Sequence, residues 1–261
     1  MIREKRKRAR NIKRILMVLL FIVLFLAVAV LVVLNVFQVK HIEVEGNKLY
    51  DAEVIEKAVQ NDEYSWNSLY VFLKYKFVST EEIPFVDTME IGLKDPQTLH
   101  IKVYEKGTMG YLYIPSIDEN AYFDKDGLVV ETSSRVIADT PQIVGIDCDK
   151  VVLYEKLPIG AGRLREILML TQALKRNGLI PDAVNYGGED EPELVYGNIS
   201  VQLGSMELLT QKVERLAKIK PELLGMEGTL HLENWTEETT NIVFDKKTEN
   251  KGSTKKDKKK S

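Results

Sequence analysis

Residues 88–103 read TMEIGLKDPQTLHIKV. Met89, Ile91 and Leu93 alternate with Thr88, Glu90 and Lys94; Leu99, Ile101 and Val103 alternate with Thr98, His100 and Lys102. A period of two marks a strand with one buried face. Lys94-Asp95-Pro96-Gln97 lies between the two runs and has the composition of a turn, so the stretch predicts two strands joined tightly. Upstream, Leu69, Phe72 and Leu73 recur at helical spacing near 67–76, and Pro84 closes that segment. Further back, Asp51 takes the N-cap position of a helix over 52–60, with Val54, Ile55, Ala58 and Val59 on one face. Val39–Glu45 alternates again, with Ile42 and Val44 on one side, and ends at a Gly46-Asn47 turn. Strand, helix, helix, strand, strand predicts an α+β layer, a small sheet with helices on one face.

Directly before this layer, Ile15–Leu34 is twenty residues of Ile, Leu, Met, Val, Phe and Ala, and no charge occurs from Ile15 to Val39. A helix of that length spans about 30 Å, the thickness of a bilayer core, and satisfies its own backbone in lipid. Residues 1–14 carry eight cations against Glu4, while Lys40 stands alone just after the run. That asymmetry orients the N-terminus toward the cytoplasm. A buried core helix would need a polar face, which this run lacks. A signal peptide would end its apolar run at a small-x-small site, but Ala27-Val28-Ala29 lies in mid-run. The expectation is an uncleaved single-pass anchor.

Charge is segregated along the chain. The net charge is −3, yet residues 1–14 carry +7 and residues 246–261 carry +6, leaving −16 between them. An acidic body disfavours nucleic acid as a partner. The single cysteine, Cys148, allows no internal disulfide.

Residues 108–245 predict a second, β-rich region with two amphipathic helices. Short strands are expected at Gly110–Ile114, Tyr122–Phe123, 128–130 and around Pro141–Gly145, with Asp126-Gly127 as a hairpin turn. One helix follows Gly162 and ends at Asn177-Gly178; another carries Leu209, Val213 and Leu216 and stops before Pro221. Leu194–Tyr196 and Ile199–Leu203 flank a Gly197-Asn198 hairpin, and Thr229–Trp235 and Asn241–Phe244 read as the last strands. From 246 the lysine-rich composition cannot build a core and predicts disorder.

The catalytic inventory is thin. His41, His100 and His231 fall in separate expected strands with no metal-ligand spacing. Asp124-Lys125-Asp126-Gly127 opens like a calcium loop, but its twelfth position is Arg135. Gly160-Ala161-Gly162 lacks the third glycine of a dinucleotide loop, since position 165 is Arg, and no parallel βαβ unit is expected around it. No serine stands in a G-x-S-x-G elbow. These absences predict no enzyme, no cofactor and no small-molecule substrate.

The order of elements and their punctuation resemble the FtsQ/DivIB family of bacterial cell-division proteins. Val39-Lys40-His41-Ile42-Glu43-Val44-Glu45-Gly46-Asn47 is similar to the entry of that family's POTRA domain. Ile83-Pro84-Phe85-Val86, then Pro96 through Leu99, Ile101, Val103, Glu105 and Lys106, is similar to the domain's ending, with Lys106 in place of the usual Arg. Asp124 through Val129, Gly204 through Lys212, and Gly228 through Asn234 resemble motifs of the second domain, although His231 and Glu233 depart from its Asp and Arg. The resemblance implies a basic cytoplasmic tail at 1–14, a transmembrane helix at 15–37, a POTRA-like βααββ domain at 38–107, a β-rich domain at 108–245 and a disordered tail at 246–261. It implies a non-enzymatic scaffold at the division septum. Its partners would be FtsL-type and DivIC/FtsB-type bitopic membrane proteins, beside the septal peptidoglycan synthase complex and membrane lipid. In the family the partner docks near the last strands, which here places Leu230, Leu232 and Trp235 as candidate apolar contacts, Trp235 foremost because Trp anchors interfaces. The competing readings are a membrane-anchored POTRA-type binding module outside division and a wall-acting hydrolase.

Overall fold

The computed structural model describes residues 2–78, 82–187, 191–236, 238 and 241–247, with side chains described from residue 11. Of the tail expected to be disordered from 246, Lys246 instead ends the last strand and the Lys247 N–H donates to the Glu227 carbonyl; the rest, from residue 248 on, lies outside the described residues. The architecture is α+β: one N-terminal apolar helix followed by a sheet-dominated remainder. The chain divides after Lys106 into two compact units.

In the first unit, α1 runs from Ile2 to Val36. It begins in the basic segment, which the sequence reading treated only as a tail. Lys and Arg are good helix formers, and no Gly or Pro interrupts 2–36. Its stretch Asn11–Val36 is long and apolar enough to cross a membrane and is not buried by the fold. Then come β1 (His41–Glu45), α2 (Ala52–Val59), α3 (Ser68–Phe77), β2 (Val86–Asp95) and β3 (Thr98–Glu105). The sheet order is β1-β3-β2, with β1 parallel and β2 antiparallel to β3. Ile55, Val59 and Val71 from the helices meet Val86, Leu99, Ile101 and Val103 in one core.

Two punctuation residues have clear physical roles here. Gly46 ends β1 with φ +84, and a Cβ there would stand 2.3 Å from the Val103 carbonyl oxygen. Only glycine permits both the conformation and the approach. The Glu105 carboxylate accepts the Leu49 backbone N–H at 2.6 Å, fixing the loop that leaves this turn.

The second unit holds one nine-stranded sheet. Its strands are β4 (Gly110–Ile114), β5 (Glu119–Phe123), β6 (Val129–Ser133), β7 (Gln142–Val144), β8 (Ala183–Asn185), β9 (Glu193–Tyr196), β10 (Ile199–Gln202), β11 (Gly228–His231) and β12 (Val243–Lys246). Their order is β12-β11-β10-β9-β8-β7-β4-β5-β6. Helices α4 (Ala161–Arg176) and α5 (Leu209–Ile219) bury Leu164, Ile167, Leu170, Leu174, Val213 and Leu216 in the core they share with Leu112, Val184, Leu194, Val201 and Leu230.

Three expectations change. β7 and β8 pair in parallel across α4, so a βαβ unit does enclose Gly160–Gly162, contrary to the sequence reading. Residues 145–160 separate β7 from that helix, however, so the glycines do not form the strand-to-helix turn that a dinucleotide loop requires. β8 itself was not expected. The strand expected over Thr229–Trp235 ends at His231, because the Trp235 N–H closes a turn onto the Leu232 carbonyl.

Lys212 explains part of the Gly204–Lys212 motif. It is 2% exposed, and its ammonium donates to the carbonyls of Leu203 at 2.8 Å and Ser205 at 3.0 Å. Burial pushes its pKa down. Lys212→Met leaves both carbonyls without that donor, and charge-assisted bonds of this kind are worth about 2 kcal/mol. Urea unfolding is expected to show a loss of that size.

Candidate docking surface

Among the described residues no group of three or more His, Cys, Asp or Glu could hold a metal ion. The Asp124 carboxylate accepts the N–H groups of Asp126 and Leu128, which makes a closed turn of the calcium-like sequence. Cys148 is buried, and burial raises its thiol pKa. A cleft of about 320 Å³ between the β9–β10 hairpin and the end of α5 is lined mainly by Tyr196, Ile199, Leu216, Leu223, Leu224 and Met226, with Lys220 stacked 4.3 Å over the Tyr196 ring. This lining suits packing more than proton transfer.

The sheet ends offer a different kind of site. At the β6 end, the Val129 N–H donates to Glu155, the Tyr154 N–H to Val129 and the Leu157 N–H to Gly127, so segment 154–157 covers the start of the edge. At the opposite end, β12 pairs antiparallel with β11 and, among the described residues, no strand pairs with its outer side. The Lys247 N–H donates to the Glu227 carbonyl at 3.0 Å. Bonded and non-bonded pairs alternate along an antiparallel ladder. Val243 and Asp245 therefore direct their backbone groups at β11, and Phe244 and Lys246 direct theirs outward.

The close fit of β12 depends on Gly228, which faces Lys246 in the register. Its φ is +150, and a Cβ there would lie 2.1 Å from the Asp245 carbonyl oxygen. His231 adds a polar clasp on the outer face of the pair. Its Nδ1 lies 2.8 Å from Glu233 and its Nε2 3.3 Å from Asp245 of β12. The hydrogen bond with Glu233, then the charges of Glu233 and Asp245, raise the imidazole pKa against a smaller opposing effect of burial. His231 and Glu233, the two departures from the family motif, thus form a linked pair.

The three expected contact residues separate. Leu230 and Leu232 are 1% and 0% exposed and belong to the core, where Phe244 of β12 also packs. Trp235 is half-buried on the rim of that core, in the turn after β11. The outward backbone of β12 and the His231 clasp escaped the sequence reading. An edge position leaves no periodic signal, and an ion pair between residues 231 and 245 leaves none either.

Because the folded His231 pKa is raised, the clasp contributes fully below the ordinary imidazole value and is lost as pH rises through the raised one. The stability difference between the native chain and His231→Gln, read from thermal unfolding, is therefore expected to be greatest on the acidic side of that window. It should shrink as pH rises.

No family model matches the chain. It is 24% identical over 188 residues to the cell division protein DivIB of Clostridium acetobutylicum, an alignment covering 70% of this chain and 73% of that protein. The chain is thus similar to a cell-division protein, and the similarity points to a role in division.

Proposed function

We propose that this protein is a non-enzymatic scaffold of the division machinery, tethered by α1 with its basic N-terminus inside and both folded units outside. In this reading residues 1–14 are the cytoplasmic tail and 15–37 the membrane span. Residues 38–107 form a POTRA-like domain and 108–247 the docking domain, which takes in Lys246 of β12 and Lys247 beside it. The outer edge of β12, on which no strand pairs among the described residues, carries the proposal. An extended segment of a bitopic partner adds there as a further strand, its backbone meeting the outward N–H and C=O groups of Phe244 and Lys246. Trp235, at the rim, supplies apolar contact beside it, and Leu230 and Leu232 support the edge from within the core. The partner is of the DivIC/FtsB or FtsL type, and the assembly stands next to the septal peptidoglycan synthases. Support for the POTRA-like assignment comes from the β1-β3-β2 mixed sheet and its two helices. Support for division comes from the likeness to DivIB.

Two substitutions separate the edge from the fold around it. Lys246→Pro removes one outward N–H and spares the N–H groups of Val243, Asp245 and Lys247 that face β11. Gly228→Ala forces the whole strand away from β11. Both are expected to lower capture of a DivIC/FtsB-type ectodomain by tenfold or more, and capture unchanged by either would place the docking site elsewhere. A fluorescent fusion of the native chain is expected to form a midcell band in dividing cells. A uniform membrane signal would sink the division reading.

A further inference from the structure

Helix α3 has two faces, and only one belongs to the core of its unit. Ser68 and Val71 are fully buried. The other face stays apolar yet open: Leu73 is 42% exposed and Phe77 74%, preceded by Trp66 at 44%. A helix facing water carries charged and polar side chains on its outer stripe. Here Lys76 is the exposed cation on that stripe, and it lies along the aromatic surface, its Nζ 5.4 Å from the Phe72 ring centroid and 5.6 Å from that of Phe77. That is how lysine covers apolar surface while its charge reaches outward. Lys74 is turned away, paired with Asp62 at 2.6 Å.

The height of this face is fixed by its attachment to α1. The Asn67 side chain donates to the Val33 carbonyl at 2.9 Å, the Ser68 N–H to Phe37 at 2.9 Å and the Val39 N–H to Trp66 at 2.8 Å. Val33 and Leu34, the end of the membrane-length apolar run, line an open groove of about 300 Å³ with Trp66, Leu69, Tyr70 and Leu73. Trp66 and the first two turns of α3 therefore share a level with the end of the hydrocarbon-spanning stretch. Trp and Tyr favour that level because their rings are apolar and their N–H and O–H groups are polar. One wall of the groove is the membrane helix itself, so the surface continuous with it is lipid.

We propose that the outer face of α3, from Trp66 to Phe77, rests on the membrane as a second, interfacial contact. Its ligand is the boundary between acyl chains and headgroups, with Lys76 directed at lipid phosphates. This inference rests on reading α1 as a membrane span. It makes the attachment of the first unit two-point: the span sets its height, and α3 is the face it lays on the surface.

The test uses the full chain in vesicles of phosphatidylethanolamine and phosphatidylglycerol, with and without brominated acyl chains. Flotation with the vesicles reports the anchor; fluorescence quenching reports α3, so the two readings fail separately. With Trp235→Phe, Trp66 is the remaining tryptophan, and its emission is expected to shift to the blue and to lose at least half its intensity to brominated lipid. The decisive reporter sits at the far end, Phe77→Trp combined with Trp66→Phe and Trp235→Phe. Quenching there is expected to match that of Trp66, and further substitution of Leu73→Glu is expected to abolish it while the circular dichroism spectrum stays unchanged. A floating chain whose residue 77 reporter is unquenched overturns the proposal. So does a reporter whose emission shifts only as protein is crowded at fixed lipid composition, which would assign the face to a second copy.

Discussion

A strand at the end of a sheet leaves every second backbone N–H and C=O without a neighbour, and this constraint governs the second unit. The two ends of the nine-stranded sheet meet it in opposite ways. Segment 154–157 folds back over the start of β6 and takes up its backbone groups. β12 has no such cover among the described residues. Proteins usually blunt an open edge with charge, short length or both. β12 has four residues, two of them Asp245 and Lys246, which discourages random pairing while leaving room for a partner of matched sequence.

The edge is held from behind by packing and from the side by charge. Leu230 and Leu232 anchor β11 in the core, and Phe244 ties β12 to the same cluster. Gly228 lets the two backbones come close enough for the ladder to form. The His231 clasp then joins the strands through groups that remain partly wet, so it responds to the medium where the core contacts do not. The labour is thus divided: the core sets the position of the edge, and the polar face sets how firmly its last strand is held.

Much of the fold was legible because periodicity reports burial directly. The βααββ order follows from residues 39–105, where each strand alternates and each helix carries an apolar stripe. Sheet order was not legible, since alternation says which face is buried and nothing about which strand lies alongside. β8 was invisible for a related reason: Ala183-Val184-Asn185 has one strongly apolar residue, too few to show a period, and is held between β9 and β7, the latter from distant sequence. The site shows the same limit. Leu230 and Leu232 alternate identically whether they face a core or a partner, and the register opposite Phe244 distinguishes the two. On α3 the limit runs the other way, because Val71 and Leu73 look alike in sequence but one is buried and the other open.

Four residues, 37–40, separate α1 from β1, and they are not slack. Phe37, Val39 and Lys40 all make backbone hydrogen bonds to the first unit. Four residues could span at most about 14 Å even if extended, so the link has no length to spare for a swivel. A helix joined this way transmits rotation: turning α1 about its own axis turns the domain above it through the same angle. With α1 as the proposed membrane span, the side of the domain that faces a given neighbour would be chosen inside the bilayer, by the face that α1 presents there.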